Sequence, residues 1–310
     1  MIIREATDSD ISGIVLLLKD SLGESLTPKS EALWNWKHQT NPFGNSPILV
    51  AEDEGKLVGV RSFMCWEYLL DNEVIPAFRA VDTAIHPDYQ GKGIFKKLTI
   101  SLIEKLGKDA KGLIFNTPNK QSTPGYLKMG WKRWGRLPLK VRIAIRRTEG
   151  NLGKTNWEEL QALIKEIETY SHQIISNKVQ TNLKKGYLNW RYRDCPIVDY
   201  QTVSDGKNFL LIYRIKSSKL GNEFRVCDLL MTKSLDSKEK KEMNRLIDAT
   251  FRQSNCKLLS YSGIEAKNHS FLARIPSVSV GPLITLRQID QKINPLKLNW
   301  AWSLGDLEVF

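Results

Sequence analysis

The segment HPDYQGKGIFKKL, residues 86–98, sets two glycines, a glutamine and three lysines where strand-like sequence gives way to helix-like sequence. AFRAVDTAI precedes it and is rich in β-formers; FKKLTISLIEKLGKDAKG follows, apolar at helical spacing and stopped at Gly112. A glycine-bearing turn that opens a helix leaves backbone N–H groups unpaired and pointing one way, which makes an anion site, strongest for phosphate. Gly91 and Gly93 permit unusual dihedrals and close approach of a ligand to the backbone. Lys92, Lys96 and Lys97 add positive charge beside it.

The elements that must carry this turn read in order. MIIREAT is a first strand, and Asp8 or Ser9 can cap a helix through ISGIVLLLKDSL. PILVAEDEGKLVGVRSFMCWEYLL is a hairpin closed by an Asp-Glu-Gly-Lys turn. VIPAFRAVDTAIHP is a fourth strand, GLIFNT a fifth, NKQSTPGYLKMG a short helix, and WKRWGRLPLKVRIAI finishes the sheet. Residues 148–156, polar and glycine-bearing, read as a linker, followed by a helix in WEELQALIKEIETYSHQI.

The second half then repeats the first. WKHQTNP at Trp36–Pro42 returns as WRYRDCP at Trp190–Pro196, and FRAVD at Phe78–Asp82 returns as FRVCD at Phe224–Asp228. The order is kept, which points to two copies of one fold. The counterpart of the glycine turn is MTKSLDSKEKKEMNRLI, which has no glycine.

A length of 310 residues suits two domains. Cys65, Cys195, Cys227 and Cys256 show no metal-binding spacing; they read as reduced thiols of a cytoplasmic protein, and no metal is expected. No apolar run approaches the roughly 20 residues of a membrane span. The formal charge is +12, and one dense part of it is Lys128, Lys132, Arg133, Arg136, Lys140, Arg142, Arg146 and Arg147. This is a solvated face or a surface for an anionic cofactor, an anionic substrate, nucleic acid or an acidic membrane. No zinc finger, aromatic RNA-binding motif or zipper is present, so nucleic acid is not an expected partner.

YQGKGIF after the fourth strand resembles the pyrophosphate motif of the GCN5-related N-acetyltransferase (GNAT) superfamily, Q/R-x-x-G-x-G/A, with Gln90 and Gly93 on its first and fourth positions. NKQSTPGYLKMGW resembles a second signature of that superfamily, N-x-x-A-x-x-x-Y-x-x-x-G-F, on Asn119, Ser122, Tyr126, Gly130 and Trp131. The resemblance covers about residues 1–145. One position departs: Phe95 stands where a small residue lets the helix approach the strand.

The resemblance implies a mixed α/β acyl-CoA N-acyltransferase fold in two tandem copies: an N-acetyltransferase domain at 1–147, a linker and helix at 148–180, and a degenerate copy at 181–310. Backbone amides of Gly91, Lys92, Gly93, Ile94 and Phe95, with Gln90, would face the pyrophosphate of acetyl-CoA. Thr83, Ala84 and Ile85 would pair with pantetheine, and Asn119 would hold it from the far side or cap a helix. Tyr126 is the candidate general acid. Proton transfer from tyrosine near ~10 to a thiolate near ~8.5 is uphill by only about 2 kcal/mol. Asp82 is the candidate base, unless it is the structural partner of Arg79; Glu67 is the further option. Some tandem members place the chain's final carboxylate in the site, here that of Phe310. The implied activity is acetyl transfer to a primary amine on an amino sugar, nucleotide sugar, peptide or small amine. The rivals are a tandem aminoacyl or peptidyl transferase using charged tRNA, and a CoA-binding protein without catalysis.

Overall fold

The computed structural model describes residues 1–23, 28–107, 111–144, 150, 152–174, 176–217, 221–264, 275–289 and 292–308. Two mixed sheets organise them. The first half contributes β1 (Ile2–Glu5), α1 (Ile11–Leu22), α2 (Glu31–His38), β2 (Ile48–Asp53), β3 (Lys56–Leu70), β4 (Glu73–Ile85), α3 (Ile94–Lys105), β5 (Leu113–Asn116), α4 (Thr123–Lys128), β6 (Lys132–Arg136) and β7 (Leu139–Ile143). The second contributes α5 (Gln161–Ser171), β8 (Gln180–Thr181), a π-helical turn at Asn189–Arg193, β9 (Gln201–Ser204), β10 (Phe209–Lys216), β11 (Glu223–Met231), α6 (Ser237–Gln253), β12 (Leu258–Ser262), β13 (Ser277–Val278), β14 (Leu283–Gln288) and α7 (Leu304–Leu307).

The sheet orders are β1-β2-β3-β4-β5-β14-β6, with β8 on β3, and β13-β7-β12-β11-β10-β9. The expectation that residues 131–145 complete one sheet is therefore corrected. β6 stays in the first sheet, but β7 crosses to the second and pairs with β12 and β13. Its place between β5 and β6 is taken by β14. The turn at Leu137–Pro138 sends the chain across: Leu137 donates to the Pro282 carbonyl, and Gly263 to that of Pro138. The first half gives β7 to the second sheet and the second half gives β14 and the short β8 to the first, so a cut at residue 147 divides the sequence without dividing the sheets.

Long alternating strands β3 and β4 bury both faces. One face carries Gly59, Arg61 and Phe63 toward α3 and α4. Val60 and Ala84 face α1 on the other side. Met64, Trp66, Tyr68 and Phe115 pack against Tyr187, Trp190, Trp300 and Trp302 of the second half in one shared core. Trp34, Trp36 and Trp190 are buried there or beside it, as core residues.

Candidate active site

β4 and β5 run parallel only over Ala77–Leu113, Phe78–Ile114 and Arg79–Phe115. Beyond Arg79 the strands part, while β4 continues along β3 to Ile85. Among the described residues the β4 edge from Ala80 to Ile85 has no strand on that side. Within it, Asp82 and Thr83 both stand opposite Arg61, a bulge that puts Asp82 at φ +43°. The result is a wedge-shaped cleft with free backbone donors and acceptors along one wall. Ile85 is an exception: its carbonyl already accepts from Ser21 Oγ at 3.1 Å and Gln90 Nε2 at 3.2 Å.

The glycine turn closes one end. Gly91 and Gly93 sit at φ +76° and +77°, the left-handed region, and nothing lies within 4 Å of where their side chains would be. Gly93 is the N-cap of α3, no side chain caps the helix, and its first turn holds no acid. The first-turn amides of α3 thus point into open space with the helix dipole behind them. Lys92, Lys96 and Lys97 are exposed around the turn.

Phe95 does not hold α3 away from the sheet. The close approach comes from the strand: a side chain at Gly59 would meet Leu98, Ile85 and Ile94 at 3.0–3.2 Å. Phe95 instead reaches sideways onto α4, its ring edge-on to Tyr126 at 5.5 Å.

Tyr126, on α4, is buried, with its ring also against Trp131. Its hydroxyl accepts from Arg61 NH1 at 2.8 Å. The same Arg61 nitrogen donates to Thr83 Oγ1 on the open edge. α4 is braced from both ends. Asn119 is not the N-cap of α4, which is Ser122; its Oδ1 accepts from Ser122 N at 2.8 Å in the turn that leads into the helix. Arg287, from β14, donates to the Met129 carbonyl and lies over Trp131. Gly130, at φ +93°, leaves room for that guanidinium.

Asp82 lies on the face of β4 turned to α1 and α2, away from Tyr126. Its supposed partner Arg79 is corrected. Arg79 donates to the carbonyls of Asp306 and Leu307, while Asp82 is bound by Lys37 Nζ at 2.7 and 2.8 Å and by His38 Nε2 at 3.0 Å. Burial alone would raise the Asp82 pKa. The Lys37 charge and the His38 hydrogen bond outweigh it and hold the carboxyl below its ordinary range. Burial lowers the His38 pKa, so the imidazole is neutral, donating to Asp82 and accepting from Ser46 Oγ at 2.8 Å. Glu67 sits opposite Pro76, at the far end of β4, held by Asn182 and Lys184. Phe310 lies outside the described residues.

Part of the basic stretch is used inside the fold. Arg136 donates to the Gly281 carbonyl, Lys140 is buried, and Arg142 pairs with Asp248. Arg146 and Arg147 lie outside the described residues.

The second sheet has the same parting of strands. β11 and β12 pair only over Glu223–Leu258, Phe224–Leu259 and Arg225–Ser260. There α7 lies against β11, with Gly305 beside Tyr192 and Asp228. Glu308 pairs with Arg225 and with Arg214 at 3.2 Å. The helix that follows, α6, is capped by its own chain: Glu239 N donates to Asp236 Oδ1 at 2.8 Å, and Asp236 N to Glu239 Oε2 at 3.0 Å.

Arg61, Gly59 and Arg287 were not singled out from sequence, and Lys37 and His38 entered only as part of the repeated WKHQTNP segment, with no role at the site. Arg61 had a local signal, as a lone charge inside the apolar run LVGVRSFMCW.

Comparison with known proteins agrees with this geometry. Residues 2–134 match the family model described as an acetyltransferase (GNAT) domain. No curated protein sequence matches the chain. A GCN5-related N-acetyltransferase from Anabaena variabilis superposes with TM-score 0.63 at 12% identity, over 93% of this chain and 73% of that one. Eis1 from Mycobacterium abscessus gives 0.58 at 13%, over 94% and 74%. Saccharomyces cerevisiae N-myristoyltransferase, with bound myristoyl-CoA, gives 0.55 at 10%, over 92% and 82%. The match to the acetyltransferase (GNAT) domain is confined to residues 2–134, and the chain shares the mixed α/β fold of these structures. Among the described residues, no helix is long and apolar enough to cross a membrane and no cluster of side chains could hold a metal ion.

Proposed function

We propose that the protein is an acetyl-CoA-dependent N-acetyltransferase acting on a primary amine. One observation carries this reading: the open β4 edge connects an uncapped, acid-free helix N-terminus at Gly93 to the Tyr126 hydroxyl. The residues fit the cofactor. Amides from Gly91 to Phe95 suit a pyrophosphate, with Gln90 fixing the turn to Ile85. The backbone of Thr83 and Ala84 suits the pantetheine amides, and the bare edge at the bulge can supply an oxyanion donor. Bound there, acetyl-CoA supplies an activated acyl carbon with a thiolate leaving group.

Tyr126 gives its proton to the sulfur as the C–S bond breaks and the amine's lone pair forms the C–N bond. The proton lost by the amine returns to solvent, from which Tyr126 is restored. Asp82 we assign to holding α2 on β4, since its ion pair makes it a weak proton acceptor. Asp228 stands at the matching position of FRVCD and is held by the Tyr192 hydroxyl instead of a cation, beside α7.

The domain reading is kept, with 1–147 as the acetyltransferase unit, 148–180 as connection and 181–310 as its degenerate copy. Four free cysteines, three of them buried, suit a reducing cytoplasm. A thiol-release assay with acetyl-CoA and a panel of amino sugars, peptides and small amines tests the reading. An amine-dependent release with a matching acetylated product is expected. Tight CoA binding with no release on any amine, or release only with aminoacyl-tRNA, would overturn it.

A further inference from the structure

Arg61 is fully buried, yet it faces no carboxylate among the described residues. Its two hydrogen bonds end on neutral hydroxyls, those of Thr83 and Tyr126. Nε and NH2 have no acceptor. The guanidinium is boxed by the rings of Phe63, Tyr126 and Phe95, at 4.8, 5.3 and 5.8 Å. Other buried guanidiniums end differently: Arg79 and Arg191 donate to backbone carbonyls of the C-terminal segment. Ring faces attract a cation, but only in part replace water or a counter-charge. A buried cation with two idle donors, at the open edge of a cleft, is arranged for an anion that is absent at rest.

We propose that Arg61 is the counter-ion for the negative charge that develops at Tyr126 and at the departing sulfur. This rests on the acyl-transfer reading above and adds a residue to it. Because Tyr126 accepts from Arg61, its own hydrogen is free to point elsewhere. When Tyr126 passes that proton to the sulfur, the phenolate is left hydrogen-bonded to a guanidinium already in place. A buried phenolate without that partner would be costly. Phe95, the departure from the family motif, forms one wall of the box.

Two measurements test this. The first uses Arg61→Gln, which keeps hydrogen-bond donors and removes the charge, Arg61→Lys, which keeps the charge, and each in a Tyr126→Phe background. Arg61→Gln should lower kcat by about 10²-fold with the acetyl-CoA KM within a few-fold, and Arg61→Lys should recover most of the loss. In the Tyr126→Phe background, Arg61→Gln should cost less than it does alone, because the part that acts through the phenolate is already gone and only the part at the sulfur remains. Full kcat in Arg61→Gln, or an undiminished second loss in the double variant, would overturn the proposal.

The second needs no variant. Calorimetry on the wild-type protein at pH 9 compares CoA with its S-methyl ether, which cannot ionise. A thiol near ~8.5 is largely thiolate there, so CoA should bind at least about 10-fold tighter. Equal affinities overturn the proposal even where a variant does not fold. Full turnover in Tyr126→Phe alone would instead overturn the Tyr126 assignment, and the thiol comparison then decides Arg61.

Discussion

Trp36 and Trp190 are stacked at 5.0 Å, and each indole N–H donates to the other's backbone carbonyl, at 2.6 and 2.7 Å. The two residues lead the repeated segments WKHQTNP and WRYRDCP. The contact is reciprocal, and neighbouring residues follow the same rule: His38, two residues on, reaches Asp82, and Tyr192, two residues on, reaches Asp228. Beside it β7 and β14 are exchanged between the two sheets. The halves are thus joined through side chains, main chain and sheets at once.

Gly93→Glu should abolish CoA binding while the protein stays folded. A side chain there sits at φ +77° and adds a carboxylate at the uncapped start of α3. The strain is modest, of the order of 1–2 kcal/mol, whereas repulsion of a pyrophosphate is large. Calorimetric titration checks it, and wild-type affinity in the folded variant would remove the turn from the site.

Tyr126→Phe should lower turnover by about 10²-fold and leave CoA affinity within a few-fold. The ring packing against Phe95 and Trp131 survives the change, so the loss belongs to the hydroxyl. Single-turnover kinetics with saturating amine measures it. Unchanged turnover would make Tyr126 a packing residue.

How much of this was legible follows from what kind of information a sequence pattern holds. Periodicity reports elements and faces, so β1 to β5, α3 and α4 could be read, and the glycine turn with them. It does not report which strand pairs with which, so the exchange of β7 for β14 was invisible. Asp82 was found but not its partners: Lys37 and His38 are about 45 positions away, and only the fold brings α2 to the bulge. The role of Gly59 was hidden for a related reason, because close helix–strand packing can be met from either side of the contact. The repeat itself was visible through Trp36, Trp190 and the paired FRAVD and FRVCD segments.

Asp82→Asn should cost stability rather than turnover. Removing one partner of a buried ion pair typically costs about 3–5 kcal/mol. The carboxyl is held below its ordinary value, so its contribution is present above about pH 4 and is lost as pH falls through the depressed value. Urea unfolding at pH 7 should show the full difference, and kcat of the folded variant should stay within about 5-fold of wild type. A loss of 10²-fold or more in kcat with unchanged stability would restore Asp82 as the base.

Asp228 should give the opposite pH dependence. Burial, with the Asp306 carboxylate next, pushes its pKa up to about 7, against hydrogen bonds from Ser303 and Tyr192 and the Arg191 charge. A raised carboxylate contributes stability that is present below its unfolded value near ~4 and is lost as pH rises through about 7. Wild-type Tm should therefore fall between pH 5 and pH 8. Asp228→Asn, which can still accept from Tyr192, should flatten that fall by at least about 3 °C. Scanning calorimetry at the two pH values decides, and an identical fall in the variant would place the effect elsewhere.

The second half should bind no CoA, giving one CoA per chain. Two features of the structure exclude it. The N-terminus of α6 is capped by Asp236 and Glu239, whose carboxylates occupy the amides a pyrophosphate would need. Where β11 and β12 part, α7 lies against β11, held by Arg191 at the Gly305 carbonyl, with Arg225 on Glu308 just beyond it. The second half is nonetheless required by the first. β14 fills the gap between β5 and β6, and its Arg287 braces the end of α4 that carries Tyr126. A fragment ending at residue 150 would keep β7 without β12 and would open the first sheet between β5 and β6. It should therefore fail to unfold cooperatively and show no transfer activity. Arg287→Gln in the full chain is the milder version, expected to lower kcat by loosening α4 while leaving CoA stoichiometry at one. A titration end-point of two CoA per chain, or an active fragment 1–150, would overturn this division between the halves.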